Sequence, residues 1–240
     1  MTTPMPIPEL SVVIPAYNEE GRLRPTLERL QAYLGQASLL HEIVVVDDGS
    51  RDSTSELARA HGATVVRNHS NRGKGFAARR GMLLARGRRR LMTDADLSTP
   101  IEDLPRLMAR LDEGYDVAIA SRALPGSNVE IRQPVYREAM GRLFNVCVRV
   151  LAVPGLHDTQ CGFKLFTAKA AAASFEPARL DGFSFDVETL FIARRRGFRI
   201  AEVPVTWRND EASRVGPVNG FRAFLDLGRI RLNGWRGLYG

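Results

Sequence analysis

Two acids stand two residues apart in Thr93-Asp94-Ala95-Asp96-Leu97-Ser98. They follow Arg89-Arg90-Leu91-Met92, a short stretch that is apolar at its end and reads as a strand. In a turn leaving that strand, both carboxylates can converge on one ion. Mg²⁺ and Mn²⁺ take oxygen ligands, and Mg²⁺ often sits on one or two carboxylates plus substrate phosphates. The chemistry indicated is that of a metal-assisted nucleotide diphosphate. A solvated loop carrying two acids has the same local sequence, so the elements around it must decide.

Leu10-Ser11-Val12-Val13-Ile14-Pro15 and Glu42-Ile43-Val44-Val45-Val46 read as buried parallel strands. Between them Leu23, Leu27, Leu30 and Leu34 share one helix face, with Asn18 placed to cap that helix. Asp52 or Ser53 opens a second helix, and Ala63-Thr64-Val65-Val66 is a third strand. Asn71-Arg72-Gly73-Lys74-Gly75 leads into a helix through about Ala85. This alternation predicts a doubly wound parallel sheet with right-handed crossovers. Ligands in such sheets bind beyond the carboxyl ends of the strands. Pro15 to Glu19, Asp47 to Ser50, Asn71 to Gly75 and Asp94 to Ser98 all lie there.

The second half is less regular. Ile101 to Leu111 is helical, Val117 to Ala120 is a strand, and Gly126 to Gln133 reads as a mobile loop. Val135 to Leu151 is a long helix. A polar motif, His157 to Phe166, precedes a short helix near Lys169 to Ser174. Phe183-Ser184-Phe185-Asp186-Val187-Glu188 follows, a helix carries on to Arg196, and Ile200 to Trp207 is a strand broken at Pro204.

A chain of 240 residues is long enough for one large α/β domain. Residues 1–9 form a Pro-rich lead expected to be disordered. No apolar run is long enough to span a bilayer and no signal-peptide pattern opens the sequence. The two cysteines, Cys147 and Cys161, make no disulfide framework, so a reducing cytoplasm is expected. The net charge of +7 and a pI near 10.0 ask for an anionic partner. No recognition-helix, zinc-finger or RNP pattern is present and the arginines are scattered, so no nucleic acid is expected. Lys74, between two glycines at a helix start, offers a cation and backbone N–H groups to an anion. The spacing is not that of a P-loop.

Ser11 to Glu19, Val45 to Ser50, Asn71 to Gly75 and Thr93 to Leu97 resemble the nucleotide-sugar half of the family 2 inverting glycosyltransferases. Asp158 to Phe166, Phe185 to Leu190 and Ile200 to Trp207 are similar to the polyprenyl-phosphate sugar transferases, above all to the dolichyl-phosphate β-glucosyltransferase branch. The resemblance implies an α/β fold with a single GT-A type nucleotide-sugar-binding domain over residues 10–215, its mostly parallel sheet flanked by helices. It implies Mg²⁺ or Mn²⁺, a nucleotide sugar (UDP-glucose before GDP-mannose) and polyprenyl phosphate as acceptor. A family 2 transferase with a non-lipid acceptor stays as the alternative. The expected location is the cytoplasmic membrane face.

The same resemblance assigns residues. Pro15, Tyr17 and Glu19 would hold base and ribose. Val46 and Asp48 would border the base, Asp48 accepting a uracil N–H. Asp47 is equally a helix cap. Lys74, Asp94, Ala95 and Asp96 would meet the nucleotide sugar, with Asp96 the first metal ligand and Asp94 beside it. Ser98 stands where the mannosyl branch carries a metal-binding glutamine. Arg122 would act with Asp94 and Asp96 in catalysis and meet phosphates, and Arg137 would meet the acceptor phosphate. Arginine suits both because its fork binds phosphate oxygens in two places. Arg208 and Arg214 would close over the donor phosphates on a flap. Asp158, Gln160, Asp186 and Glu188 are candidates for sugar or acceptor. Asp186 and Glu188 also fit helix-start capping. His41 and His157 have no ligand set around them.

The segment 216–240 reads as a basic amphipathic helix. Phe221, Phe224, Leu225, Leu227, Ile230, Leu232, Trp235 and Leu238 lie among Arg222, Arg229, Arg231 and Arg236. It is too polar to span. It suits a peripheral membrane surface, or a helix packed on the domain.

Overall fold

The computed structural model describes residues 6–131, 135–208 and 217–240. In chain order, Leu10–Ala16 is β1, Glu20–Gln36 α1, His41–Asp47 β2, Thr54–Ala60 α2, Thr64–Arg67 β3, Lys74–Leu84 α3 and Arg89–Met92 β4. A 3₁₀ turn at Ile101–Asp103 leads into α4, Leu104–Asp112. Then come β5 (Val117–Ser121), β6 (Asn128–Ile131), α5 (Val135–Leu151), β7 (Lys164–Thr167), α6 (Ala168–Phe175), α7 (Phe185–Arg195), β8 (Ile200–Pro204), β9 (Thr206–Arg208) and α8 (Pro217–Trp235).

The runs Val12-Val13-Ile14 and Val44-Val45-Val46 form β1 and β2 because β-branched side chains suit a pleated, buried backbone. These strands pair in parallel, Val13 opposite Val44. Side chains alternate between the two faces. Val13, Val44 and Val46 enter one core with α3, α6 and α7, while Val12, Ile14 and Val45 enter the other with α1 and α4. Leu23, Leu27, Leu30 and Leu34 of α1 are fully buried in that second core, each contributing about 1.5–3 kcal/mol.

The main sheet has the order β3-β2-β1-β4-β7-β5-β8. Every neighbour pair is parallel except those of β7, which runs antiparallel between β4 and β5. The sheet is therefore mostly parallel, with one reversed strand that the sequence pattern did not distinguish. The segment Gly126 to Gln133, expected as a loop, contains β6, which pairs in parallel with β9 in a small second sheet. Pro8 and Glu9, expected within the disordered lead, are hydrogen-bonded. The Glu9 N–H donates to Leu40 O at 2.7 Å, and the carbonyls of Pro8 and Glu9 accept from Arg88 and Arg89 at 3.0 Å.

α8 packs on the domain through Ala223, Leu227 and Ile230, in the same core as α5 and α7. Phe224 meets Phe144 of α5 edge-on, ring centroids 5.2 Å apart. Its other side is exposed: Trp235 is 74% and Leu225 54% accessible, and Val150 of α5 is 73% accessible. Among the described residues, no helix is long and apolar enough to cross a membrane.

Candidate active site

The loops after β1 and β2 are tied into one wall. The Asp48 N–H donates to Ala16 O at 2.8 Å. The N–H groups of Asn18 and Glu19 donate to the hydroxyls of Ser50 and Thr54, both at 2.9 Å. Asn18, expected to cap α1, instead takes a left-handed φ of 53° and accepts from the Arg51 N–H. Asp52 takes up the orphan donors, from Glu20 N and Thr54 N. Tyr17 stands half-buried in this wall and Pro15 lies beneath it in the sheet. Glu19 holds Arg22 with both oxygens at 2.7 Å.

Two expected contacts change here. Val46 is fully buried in the core on the α3 side, so its side chain does not border an open site. Asp48 is buried and accepts from Asn68 Nδ2 at 2.6 Å, Arg72 N at 2.9 Å and Gly73 N at 2.7 Å. It shapes the approach to α3, and one of its roughly four lone-pair positions is left for a base. Asp47 accepts from Ser50 N at 2.8 Å and from the Ser55 hydroxyl, as a turn and helix-start cap does.

The start of α3 is not an open anion cradle. Gly73 N is taken by Asp48, and Asp181 O accepts from Gly75 N at 2.8 Å and Phe76 N at 3.3 Å. A Cβ at Gly73 or Gly75 would overlap the carbonyls of Asp181 and Leu180, so these glycines let α3 seat against that turn. What α3 presents is the ammonium of Lys74, 2.6 Å from Asp94 Oδ1. Lys74 is the partner of that buried oxygen, for which no other hydrogen bond is found among the described residues.

Asp94 and Asp96 sit where the chain leaves β4. The turn closes through Leu97 N to Asp94 O at 3.2 Å, with Leu97 at a left-handed φ of 48°. The buried Thr26 hydroxyl of α1 anchors Ala95 O at 2.7 Å. Ser98 N donates to Asp96 Oδ1 at 3.0 Å, and Ser98 O accepts from Arg208 N at 2.9 Å, which brings β9 beside the acidic pair. Burial, then the neighbouring Asp94 charge, pushes the Asp96 carboxyl above its ordinary value. Burial pulls Lys74 down, but the Asp94 and Asp186 carboxylates outweigh it and leave Lys74 raised. Both perturbations belong to a site short of positive charge around Asp96.

Gly162, which sequence reasoning passed over, completes the floor: a Cβ there would overlap the Asp94 carboxylate. Its signal was a small residue two positions before β7. Among the described residues no group of three or more His, Cys, Asp or Glu could ligate one ion. Asp94 and Asp96 still fit a divalent cation of the kind that takes two carboxylates and completes its shell from diphosphate and water. The Asp94 oxygen met by Lys74 and by no other hydrogen-bond donor among the described residues, and the room that Gly162 leaves for that carboxylate, are the structural marks of that fit.

The second half contributes buried ion pairs. Arg122, just after β5, grips Asp158 through Nε at 2.6 Å and Nη2 at 2.9 Å, while its N–H adds a third bond at 3.0 Å. Its guanidinium lies 5.1 Å from the Trp207 ring. Burial pushes Asp158 up, but Arg122 more than offsets this and holds it below the usual carboxylate range. Gln160 N also donates to Asp158, at 3.2 Å. Lys164 of β7 bonds Asp186 at 2.5 Å and Cys161 O at 2.6 Å, with 1% and 7% of the two side chains exposed. Glu188 accepts from Arg179 N, Leu180 N and the Tyr239 hydroxyl, and burial raises its pKa. The structure thus brings Lys74, Asp94, Asp96, Ser98 and Arg208 together. Asp158, Asp186 and Glu188 are each committed to protein partners. Arg214 and the Arg137 side chain lie outside the described residues.

The profile of Glycosyl transferase family 2 matches residues 11–174. A dolichyl-phosphate β-glucosyltransferase of Drosophila melanogaster is 39% identical, over 92% of this chain and 72% of that protein. Those of Homo sapiens (36%, 93% and 74%) and Saccharomyces cerevisiae (32%, 96% and 76%) are similar in extent. Among solved structures, mannosyl-3-phosphoglycerate synthase from Rubrobacter xylanophilus superposes with a TM-score of 0.73 at 20% identity, covering 96% of this chain and 74% of that one. Glucosyl-3-phosphoglycerate synthase from Mycobacterium tuberculosis with Mn²⁺ and UDP-glucose gives 0.68 at 23%, covering 95% and 78%. These two likenesses establish the fold. With the acidic pair at the end of β4 and matches of this extent, the chain belongs to glycosyl transferase family 2 and is a glycosyltransferase.

Proposed function

We propose that this protein transfers glucose from UDP-glucose to a dolichyl-type polyprenyl phosphate, with inversion at the anomeric carbon. The observation that carries the reading is the Lys74–Asp94–Asp96 cluster, walled by Tyr17 and Asp48 and flanked by Arg208, in a chain whose relatives act on dolichyl phosphate. A phosphate oxygen of the lipid attacks the anomeric carbon, the bond to the β-phosphate oxygen breaks, and UDP leaves. The acceptor monoester is already largely dianionic, since its second pKa is about 6. No protein base is needed. Asp158, Asp186 and Glu188 fit that reading, because each is held by a cation or by backbone and phenol donors.

Asp96 and Asp94 would hold a divalent cation, Mg²⁺ or Mn²⁺, which would supply positive charge to the departing diphosphate. Lys74 is placed to exchange Asp94 for a phosphate oxygen, and Arg208 adds charge from the other side. Arg122 spends Nε and Nη2 on Asp158, so its phosphate contact would go through Nη1. Arg137 and Arg214 would serve the acceptor phosphate and the donor phosphates.

The exposed face of α8 and α5 supports docking on an anionic lipid surface, with Trp235, Leu225 and Val150 outward among Arg222, Arg229, Arg231 and Arg236. A cytoplasmic membrane face is the location proposed. The test is purified protein with polyprenyl phosphate and a panel of nucleotide sugars, with and without Mg²⁺ or Mn²⁺. Lipid-linked glucose forms from UDP-glucose only with the cation, and Asp96→Ala abolishes it. Equal turnover in excess chelator would refute the role given to the acidic pair.

A further inference from the structure

Tyr239 lies far from Asp94 in sequence, yet it is among the largest fully buried side chains. Its hydroxyl donates to Glu188 Oε1 at 2.7 Å and accepts from Asn233 Nδ2 at 3.2 Å. Its ring packs against Phe191, centroids 6.0 Å apart. Burial, together with the Glu188 carboxylate, raises the phenol, so it stays a donor. The other Glu188 oxygen accepts from Arg179 N at 3.0 Å and Leu180 N at 2.8 Å. An aliphatic residue in its place would strand both N–H groups.

That turn is the one against which α3 is seated. Asp181 O accepts from Gly75 N and Phe76 N, Ala178 O accepts from Arg79, and the carbonyls of Leu180 and Asp181 fill the space that Cβ atoms would need at Gly75 and Gly73. Lys74 stands between those glycines and meets Asp94. A run of direct contacts therefore joins Tyr239 to the acidic pair: hydroxyl to Glu188, carboxylate to the 179–180 backbone, turn carbonyls to α3, ammonium to Asp94. The polar links as far as α3 are buried or backbone-mediated, so movement of Tyr239 is passed to the base of Lys74 rather than absorbed by solvent, and only the final Lys74–Asp94 pair is partly exposed.

We propose that Tyr239 and Glu188 are positioning residues for the nucleotide-sugar site: their bond fixes the 179–182 turn, and the turn fixes where Lys74 stands over Asp94. The inference rests on the donor-site reading above. Because Tyr239 follows α8, the bond also ties the outward-facing helix to that site.

The test uses the full chain, wild type beside Tyr239→Phe, Glu188→Gln and Glu188→Leu. UDP affinity in Mn²⁺ is measured by calorimetry well below the melting temperature, with amide hydrogen exchange across the chain and donor KM and kcat alongside. Tyr239→Phe weakens UDP by about threefold to about tenfold, the value of one buried hydrogen bond. Its donor KM rises with kcat little changed, and faster exchange is confined to segments 72–80 and 176–184. Glu188→Gln, which keeps an acceptor for the two N–H groups, lies closer to wild type than Glu188→Leu. Wild-type UDP affinity in Tyr239→Phe, or exchange that rises evenly along the chain, overturns the positioning role alone. A wild type that does not bind UDP, or an Asp96→Ala protein that binds it equally well in Mn²⁺, overturns the donor-site reading instead.

Discussion

Replacing Arg122 with methionine removes the cation from a carboxylate that has almost no access to water. Asp158 is 1% exposed and receives two side-chain bonds from the guanidinium, at 2.6 and 2.9 Å. After Arg122→Met it keeps only the N–H groups of residues 122 and 160, at 3.0 and 3.2 Å. Breaking a buried pair by removing one partner costs about 3–5 kcal/mol. The low end applies, because 27% of the Arg122 side chain is exposed and water can replace part of it. For a chain of this size, about 3 kcal/mol lowers the melting temperature by about 6–12 °C.

Thermal and urea unfolding measure the loss. Asp158→Asn in the same background should recover much of it, giving a coupling of about 2 kcal/mol in a double-mutant cycle. The pH dependence carries a sign. The folded Asp158 pKa is depressed, so its contribution is fully present above the unfolded value of about 3.9 and is lost as pH falls through the lower folded value. Wild type should therefore lose this increment on acidification, and Arg122→Met should not. An Arg122→Met protein within about 1 kcal/mol of wild type at neutral pH would refute the argument. Arg122 would then be a phosphate-facing group with no structural debt to Asp158.

Two further outcomes follow from the geometry. Gly162→Ala should push the Asp94 carboxylate away from where the proposed cation would sit, lowering turnover by about a hundredfold for a displacement near 1 Å while the protein stays folded; turnover near wild type would mean that Asp94 has room to spare. Arg229→Ala with Arg236→Ala should cut partitioning onto anionic vesicles by about thirtyfold, at about 1 kcal/mol per arginine, with little change on neutral vesicles; equal sedimentation on both would remove α8 from the lipid surface.

The first half of the fold was legible because each of its elements carries a local signature. The leucines of α1 recur at helical spacing and are all buried, and the β-branched runs of β1 and β2 became the sheet centre. Asp94 and Asp96 stood out because acids at the end of an apolar strand have few structural uses. What stayed hidden depends on partners distant in sequence. β7 opens with Lys164, an unlikely buried residue until Asp186, 22 positions on, is brought to it. Asp48 looked free for a base, but its ligands, Asn68, Arg72 and Gly73, come from another loop. Glu188 looked like a helix-start acid until Tyr239, 51 residues later, reached it. The burial of the Val46 side chain was hidden for a simpler reason: two faces of a buried strand read alike when both are covered.

The reversed direction of β7 divides the rim of the sheet into two parts that reach it by different routes. A strand running against its neighbours delivers the peptide before it, not after it, to the rim where ligands gather, so Asp158 to Gly162 arrive there by a return path. Residues 10–98 assemble their share of that rim from consecutive parallel units. Extensions or exchanges between β5 and β7 can thus remodel one part of the rim while leaving the part built by residues 10–98 unaltered. Such modularity gives a physical reason why one architecture serves proteins named for phosphoglycerate and proteins named for a lipid carrier.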